Sequence, residues 1–312
     1  MLDVCLLGTG GMMPLPNRWL TALLIRYNGR KILIDCGEGT QISLKMLGWG
    51  FKTIDVICFT HYHGDHITGL PGLLLTIGNS GRKKPLTLIG PTGLKRVVEG
   101  LTVIAQELPF EIEYIELSEK EILQNEFRIE IMKGLFIKAV PVKHTVTCFA
   151  YVVELERRPR FIPEKAAKLN IPAYLWKNLQ QGKNVEVNDN IYTPDLVLGD
   201  KRKGIKIAYC TDSRPVLNLI GSICKADLFI CEGMYGAEED KIQAQKNKHM
   251  TFSEAATLAY KADVKELWLT HYSPSLTNPY EYLDIALNIF TNTRLGKDGM
   301  VKNLIFSEEI IE

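Results

Sequence analysis

The sequence predicts an α/β protein in which layers of β-sheet are covered by helices. Three observations point there. Apolar, strand-type runs cluster in the first sixty residues. Later runs alternate with segments whose apolar residues fall at helical spacing, the arrangement that buries a sheet face under helices. Five of the runs also end in a histidine, aspartate or glutamate, at His61, His144, Asp212, Glu232 and His271. In α/β sheets functional groups collect beyond the carboxyl ends of strands, where the following loops converge on one crevice.

The elements follow in order. Residues 4–7 read as a first strand, and the N-terminus has neither the basic flank nor the long apolar stretch of a signal peptide. Strands are expected at 21–27 and 30–36, joined by Asn28-Gly29, a pair that accepts the positive φ values of a type I′ hairpin. Further strands are expected at 54–60, 85–90, 110–117, 127–132, 136–142 and 148–155, and then at 205–210, 228–231 and 267–270. Leu70, Leu73, Leu74 and Ile77 fall at i, i+3, i+4 and i+7, as do Leu94, Val97, Val98 and Leu101, so each set predicts an amphipathic helix. A third helix is expected after Asp212-Ser213-Arg214-Pro215, with the proline near N1, where its missing N–H costs nothing. A fourth starts at Thr251-Phe252-Ser253-Glu254, a capping box with Thr251 as N-cap and Glu254 at N3. Between about 156 and 203 the chain turns polar and carries Pro159, Pro163, Pro172 and Pro194, with a short helical piece near 164–169. This stretch is expected to be an arm inserted in one domain spanning 1–312; a surface loop packed on the fold is the alternative.

Bulk properties narrow the function classes. The chain has 312 residues, 46% hydrophobic and 23% charged, with a net charge of +1. Nucleic-acid binding therefore has no global electrostatic basis and must rest on a local surface. No apolar run reaches the ~18 residues of a membrane span, so no membrane partner is expected. The seven cysteines are scattered without a C-x-x-C pair, mostly inside apolar runs; buried thiols in a reducing cytoplasm are the expected reading.

The densest chemical signal is His61-Tyr62-His63-Gly64-Asp65-His66. Three imidazoles and a carboxylate within six residues at a strand end can aim at two neighbouring points. That donor set suits zinc and similar ions. The chain has only six histidines. His144 and His271 close apolar runs, and His249 stands just ahead of the capping box.

These motifs resemble the metallo-β-lactamase superfamily: the H-x-H-x-D-H element, the preceding Leu33-Ile34-Asp35-Cys36-Gly37-Glu38-Gly39-Thr40 segment, and the later histidines and Asp212. Within it the chain is most similar to the ribonuclease Z branch. Leu7-Gly8-Thr9-Gly10 followed by Pro14 and Arg18, the Glu232 and His249 pair, and Leu269-Thr270-His271 carry that likeness. The resemblance implies a four-layer αββα sandwich with an inserted arm, two zinc ions per subunit, and cleavage of precursor tRNA near its 3′ end. It implies that His61, His63 and His144 hold one zinc, that Asp65, His66 and His271 hold the other, and that Asp212 bridges them. Asp35 would orient the site from behind, or simply accept backbone hydrogen bonds at a strand end. Zinc lowers the pKa of a bound water toward about 7; Asp65 would take the proton, and His249 held by Glu232 would protonate the leaving 3′-oxygen. Arg18 and Thr251 are expected near the substrate, Thr251 because a helix N-terminus favours phosphate. A homodimer is also implied, with one subunit's arm gripping the RNA cut by the other.

Three segments depart from the branch. Cys231-Glu232-Gly233-Met234 keeps only the glutamate of H-E-A-T, Pro14-Leu15-Pro16-Asn17-Arg18-Trp19 lacks the lysine and asparagine of P-x-K-x-R-N, and the arm has Ile171-Pro172-Ala173-Tyr174-Leu175-Trp176 in place of a Gly-Pro element. The ligand set is untouched, so the departures bear on substrate. A small-molecule phosphodiesterase or ester hydrolase on the same fold is the alternative. A non-catalytic RNA-binding relative would not need a bridging aspartate. Residues 154–203 carry ten lysines and arginines against seven acids, interleaved with Phe161, Tyr174, Trp176 and Tyr192, so the arm reads either as an RNA-contacting surface or as a mildly basic solvated one.

Overall fold

The computed structural model describes residues 1–105, 107–188 and 190–307, so Gln106, Asp189 (inside the polar insertion) and 308–312 lie outside it. Two seven-stranded sheets form the frame. The first runs in the order Val301–Leu304, Leu2–Gly8, Ala22–Tyr27, Arg30–Ile34, Ile54–Cys58, Leu86–Pro91 and Ile112–Leu117. The second runs Thr293–Leu295, Leu267–Thr270, Leu228–Glu232, Arg202–Cys210, Cys148–Arg157, Leu135–Val142 and Phe127–Met132. The hairpin at Asn28-Gly29 forms as expected: Tyr27 pairs with Arg30, and both turn residues have positive φ.

Each central strand is buried on both faces, so these runs are continuously apolar rather than alternating. In the first sheet Leu24, Leu33, Ile57 and Leu88 pack against Leu70, Leu73, Leu74 and Ile77 of helix Leu70–Asn79 and Leu94 and Val98 of helix Leu94–Leu101. In the second, Phe229, Cys231 and Leu269 pack against helix Leu217–Ile223 and helix Phe252–Lys261. The other faces are also buried, at Leu23, Ile34, Ile89, Tyr151, Tyr209 and Trp268. There the sheets meet: the Tyr151 hydroxyl donates to the Phe59 carbonyl at 2.8 Å, and Phe149 N donates to Thr60 O at 3.0 Å. The layer order is helix, sheet, sheet, helix.

By internal contacts the chain divides into two compact units, Met1–Glu154 with Lys206–Ile305, and Leu155–Ile205 with the stretch from Phe306. The second unit has its own small core of Ala166, Ile171, Leu179, Val185 and Val197. It holds helices Pro163–Lys168 and Ala173–Gln180 and the hairpin Val185–Val187 with Asn190–Tyr192.

One sequence expectation shifts in detail. The third helix starts at Leu217 with Val216 as N-cap, which puts Pro215 one residue outside the helix instead of at N1. The capping box forms as read: Thr251 accepts from Glu254 N, and Glu254 Oε2 accepts from Thr251 N at 3.1 Å. Gly8 closes the first strand at a register shift, and a Cβ there would lie 1.8 Å from the Leu20 carbonyl oxygen. Backbone cannot yield as a side-chain end does. Gly8→Ala should therefore cost about 3 kcal/mol, the upper end for overpacking, read as a fall in urea midpoint at constant m-value.

Candidate metal centre

The site is built from strand ends. Strands Arg30–Ile34 and Ile54–Cys58 run parallel, as do Arg202–Cys210, Leu228–Glu232 and Leu267–Thr270, so within each set the carboxyl ends face one way. At or just beyond them stand Asp35, His61, Asp212, Glu232 and His271, each at most 2% exposed. Asp35, Asp212 and His271 all adopt left-handed φ, at 60°, 49° and 57°. Non-glycine residues rarely sit there except in tight turns and at functional sites. Each left-handed residue turns the chain sharply as it leaves its strand, and the side chain points into the crevice.

Seven expected ligands converge. One ligand atom each from His61, His63, His144 and Asp212 lie within 4.8 Å of one another, and Asp65, His66 and His271 form a second such group. Asp212 faces both. Its Oδ2 lies 3.6 Å from His61 Nε2 and 3.6 Å from His144 Nε2, while its Oδ1 lies 3.1 Å from His66 Nε2 and 3.0 Å from His271 Nε2. Asp65 Oδ2 lies 3.5 Å from His66 Nε2 and 3.4 Å from His271 Nε2.

These contacts suit a cation better than one another. His66 Nε2 faces His271 Nε2 at 3.2 Å, and His63 Nδ1 faces His144 Nε2 at 3.2 Å. Two neutral ring nitrogens can share at most one proton between them. His61 Nε2 and Asp212 Oδ1 are buried without a directed hydrogen bond, a condition that calls for a missing partner. Burial, and then His66, drives the pKa of His61 well below its ordinary value, and burial lowers that of His144. Both are thus held neutral, as ligation requires. Burial would raise the pKa of Asp212, but His271, His66 and His61 reverse this and hold the carboxylate ionised. The donor set is that of a metal site.

The surrounding groups fix the ligands. Asp35 does both things the sequence allowed: Oδ2 contacts His66 Nδ1 at 2.8 Å, and Oδ1 accepts from Thr60 N at 2.8 Å. Thr60 Oγ1 lies 3.0 Å from His61 Nδ1, and the Lys248 carbonyl 3.3 Å from His144 Nδ1. Such outer partners set tautomer and ring angle.

Glu232 and His249 meet as expected, with His249 Nδ1 3.1 Å from Glu232 Oε2. Glu232 also accepts from the backbone N–H groups of Ser213 and Met250. His249 Nε2 lies 4.0 Å from Asp212 Oδ2 and belongs to a ligand-like trio with Asp212 and His271. Burial would lower its pKa, but Glu232 outweighs this and raises it to about 9.

Arg18 and Thr251 sit near the site with their polar groups engaged. The Arg18 guanidinium donates to the carbonyls of Leu276 at 2.9 Å and Thr277 at 3.2 Å, and lies 5.5 Å from the Tyr272 ring centre. It pins the N-terminal loop to the loop after His271. Thr251 is closed by Glu254 and by Ser253 Oγ at 3.0 Å. Sequence reasoning missed Met12, whose backbone N–H donates to Asp65 Oδ2 at 2.7 Å; a main-chain donor leaves no trace in residue type.

Residues 2–161 match the model of the family described as Anti-Pycsar protein Apyc1. A ribonuclease Z of Lachnoclostridium phytofermentans is 57% identical over 310 residues, covering 99% of this chain and 99% of that one. The crystal structure of human tRNase Z, short form, aligns with a TM-score of 0.70 at 25% identity, covering 97% of this chain and 100% of that one. The metallo-beta-lactamase fold protein YhfI from Bacillus subtilis aligns with a TM-score of 0.68 at 19% identity over 96% of this chain and 98% of that one, a likeness of fold alone.

Proposed function

This chain belongs to the ribonuclease Z family, with residues 2–161 also in the Anti-Pycsar protein Apyc1 family, and from that premise we propose that it is an endoribonuclease cutting precursor tRNA at the 3′ end with two zinc ions. The observation that carries the reading is Asp212, whose two oxygens address two separate groups of ligands. His61, His63 and His144 would hold one zinc, Asp65, His66 and His271 the other, and Asp212 would bridge them. When bound, zinc supplies Lewis acidity toward a phosphoryl oxygen and an activated water.

The remaining work falls to the chain. Asp65, held ionised against its burial by His271 and His66 and oriented by Met12 N, accepts the proton of the attacking water. As the new P–O bond forms and the P–O3′ bond breaks, His249 Nε2 gives its proton to the leaving oxygen, with Glu232 on Nδ1 fixing the ring and favouring the charged form. Arg18, which donates to the Leu276 and Thr277 carbonyls, and Thr251, the N-cap of its helix, would stand beside the substrate while also holding their loops in place.

The Leu155–Ile205 unit is proposed as an RNA-contacting arm, since Arg158, Arg160, Lys177 and Arg202 line one groove on it. In a homodimer, the arm of one subunit would serve the site of the other. Among the described residues no helix is long and apolar enough to cross a membrane; a cytoplasmic location is proposed from the unpaired, mostly buried cysteines.

The test is direct. Zinc-loaded protein incubated with a precursor tRNA should release the 3′ trailer in one cut, and a version lacking 156–203 should lose affinity for that RNA while keeping its zinc. Failure of fully loaded protein to cut near the 3′ end would remove tRNA processing from the reading.

A further inference from the structure

His249 is fixed at its ring, at its backbone N–H, which donates to the Ala244 carbonyl at 2.9 Å, and at its own carbonyl. Glu232 orients the imidazole through Nδ1. The backbone of His249 lies in a loop between Lys248, which has a left-handed φ of 63°, and the N-cap Thr251. Such a loop has freedom that a ring partner alone does not remove. What holds its carbonyl is Arg214. One guanidinium nitrogen donates both to the His249 carbonyl and to Glu254 Oε2, the latter at 2.9 Å, while the other nitrogen donates to Glu254 Oε1. The pair is 14% and 11% exposed, so it is sheltered, and its fork geometry is rigid.

The position of Arg214 in the sequence gives this contact its meaning. It is two residues from Asp212, and Ser213 between them donates its backbone N–H to Glu232. Arg214 N donates to Lys143 O at 2.9 Å, beside His144. The stretch 212–214 therefore carries the carboxylate facing both ligand groups and sets both the partner and the backbone of the candidate proton donor. Glu254 has a second task in the same contact, since its Oε2 also closes the capping box on Thr251 N.

We propose that Arg214, locked by Glu254, is a positioning residue for proton transfer to the leaving oxygen, acting through the main chain of His249. The inference rests on the proton-donor role given to His249 above. It requires that loss of Arg214 harm reactions in proportion to how much their leaving group needs a proton. A ribose 3′-oxygen leaves poorly unprotonated, whereas p-nitrophenolate leaves without help.

The experiment uses zinc-loaded, full-length protein and the variants Arg214→Ala, Arg214→Lys, Glu254→Gln, His249→Ala and the double variant Arg214→Ala/His249→Ala. Each is assayed on precursor tRNA and on bis(p-nitrophenyl) phosphate, with zinc content measured alongside. Arg214→Ala should lower kcat on RNA about 30-fold with KM within about twofold, a fraction of the roughly 10²–10⁴-fold that a general acid contributes. Its loss on RNA should exceed its loss on the aryl diester at least tenfold, and Arg214→Lys should recover part of it. Because Arg214 acts through His249, the double variant should be no slower on RNA than His249→Ala. Equal losses on both substrates, or losses that multiply in the double variant, would overturn the proposal. Should Arg214→Ala fail to fold, Arg214→Lys and Glu254→Gln carry the same comparison. If His249→Ala cuts RNA at the wild-type rate, the proton-donor reading itself fails, and the inference with it.

Discussion

Asp212→Ala should yield a folded protein that retains little metal and hydrolyses RNA at least ~10⁴-fold more slowly. The reason is that one carboxylate serves both ligand groups, with oxygens 3.0–3.6 Å from four ring nitrogens, on His61, His66, His144 and His271. Removing it leaves those buried imidazoles facing one another without an anion between them. Bound metal supplies several kcal/mol of charge stabilisation in the transition state, and each ~1.4 kcal/mol is a factor of ten in rate. Asp212→Asn separates charge from shape, since it keeps the outline and one ligand oxygen but removes the negative charge. It should hold more metal than the alanine variant and still be slow. Elemental analysis with single-turnover cleavage reads both quantities. An alanine variant with full metal content and normal rate would mean that Asp212 bridges nothing.

The fold and most of this site could be read in the residues because both depend on short-range pattern. Strands buried on both faces are written as unbroken apolar runs, and a strand ending in His61, Asp212 or His271 places that residue beside its neighbours' ends. Hidden from the pattern was how each residue is aimed. The left-handed turns at Asp35, Asp212 and His271 are set by loops closing over long range, and aspartate or histidine at a strand end looks the same with either backbone. Arg18 is expected near the substrate from its place in the Pro14–Trp19 segment that resembles P-x-K-x-R-N. The sequence could not show that Leu276 and Thr277 offer it carbonyls across more than 250 positions. The short edge strands Thr293–Leu295 and Val301–Leu304 escaped notice because three or four residues such as Val301-Lys302-Asn303-Leu304 carry almost no periodicity. Nor was the core of the Leu155–Ile205 unit visible, since Ala166, Ile171, Leu179, Val185 and Val197 stand singly among polar residues.

His249→Ala should lower single-turnover cleavage of precursor tRNA about 10²–10⁴-fold, the usual contribution of a general acid, while zinc content stays at the wild-type level. Loss of metal along with the rate would instead make His249 a ligand, which its place in a trio with Asp212 and His271 also permits. The pH profile adds a second, independent reading. Burial alone would depress the His249 pKa; the Glu232 carboxylate raises it to about 9, and cations held nearby push it back down. An acid works only while protonated, so the rate falls as pH climbs through the ring's pKa in the metal-loaded protein. Glu232→Gln removes the charge that favours the protonated ring, so the folded-state pKa drops and the descending limb must move to lower pH. At a pH well below both values the ring is protonated in either protein, and the two rates should approach each other. A profile that moves to higher pH, or does not move at all, would show that the proton reaching the leaving oxygen does not come from this histidine.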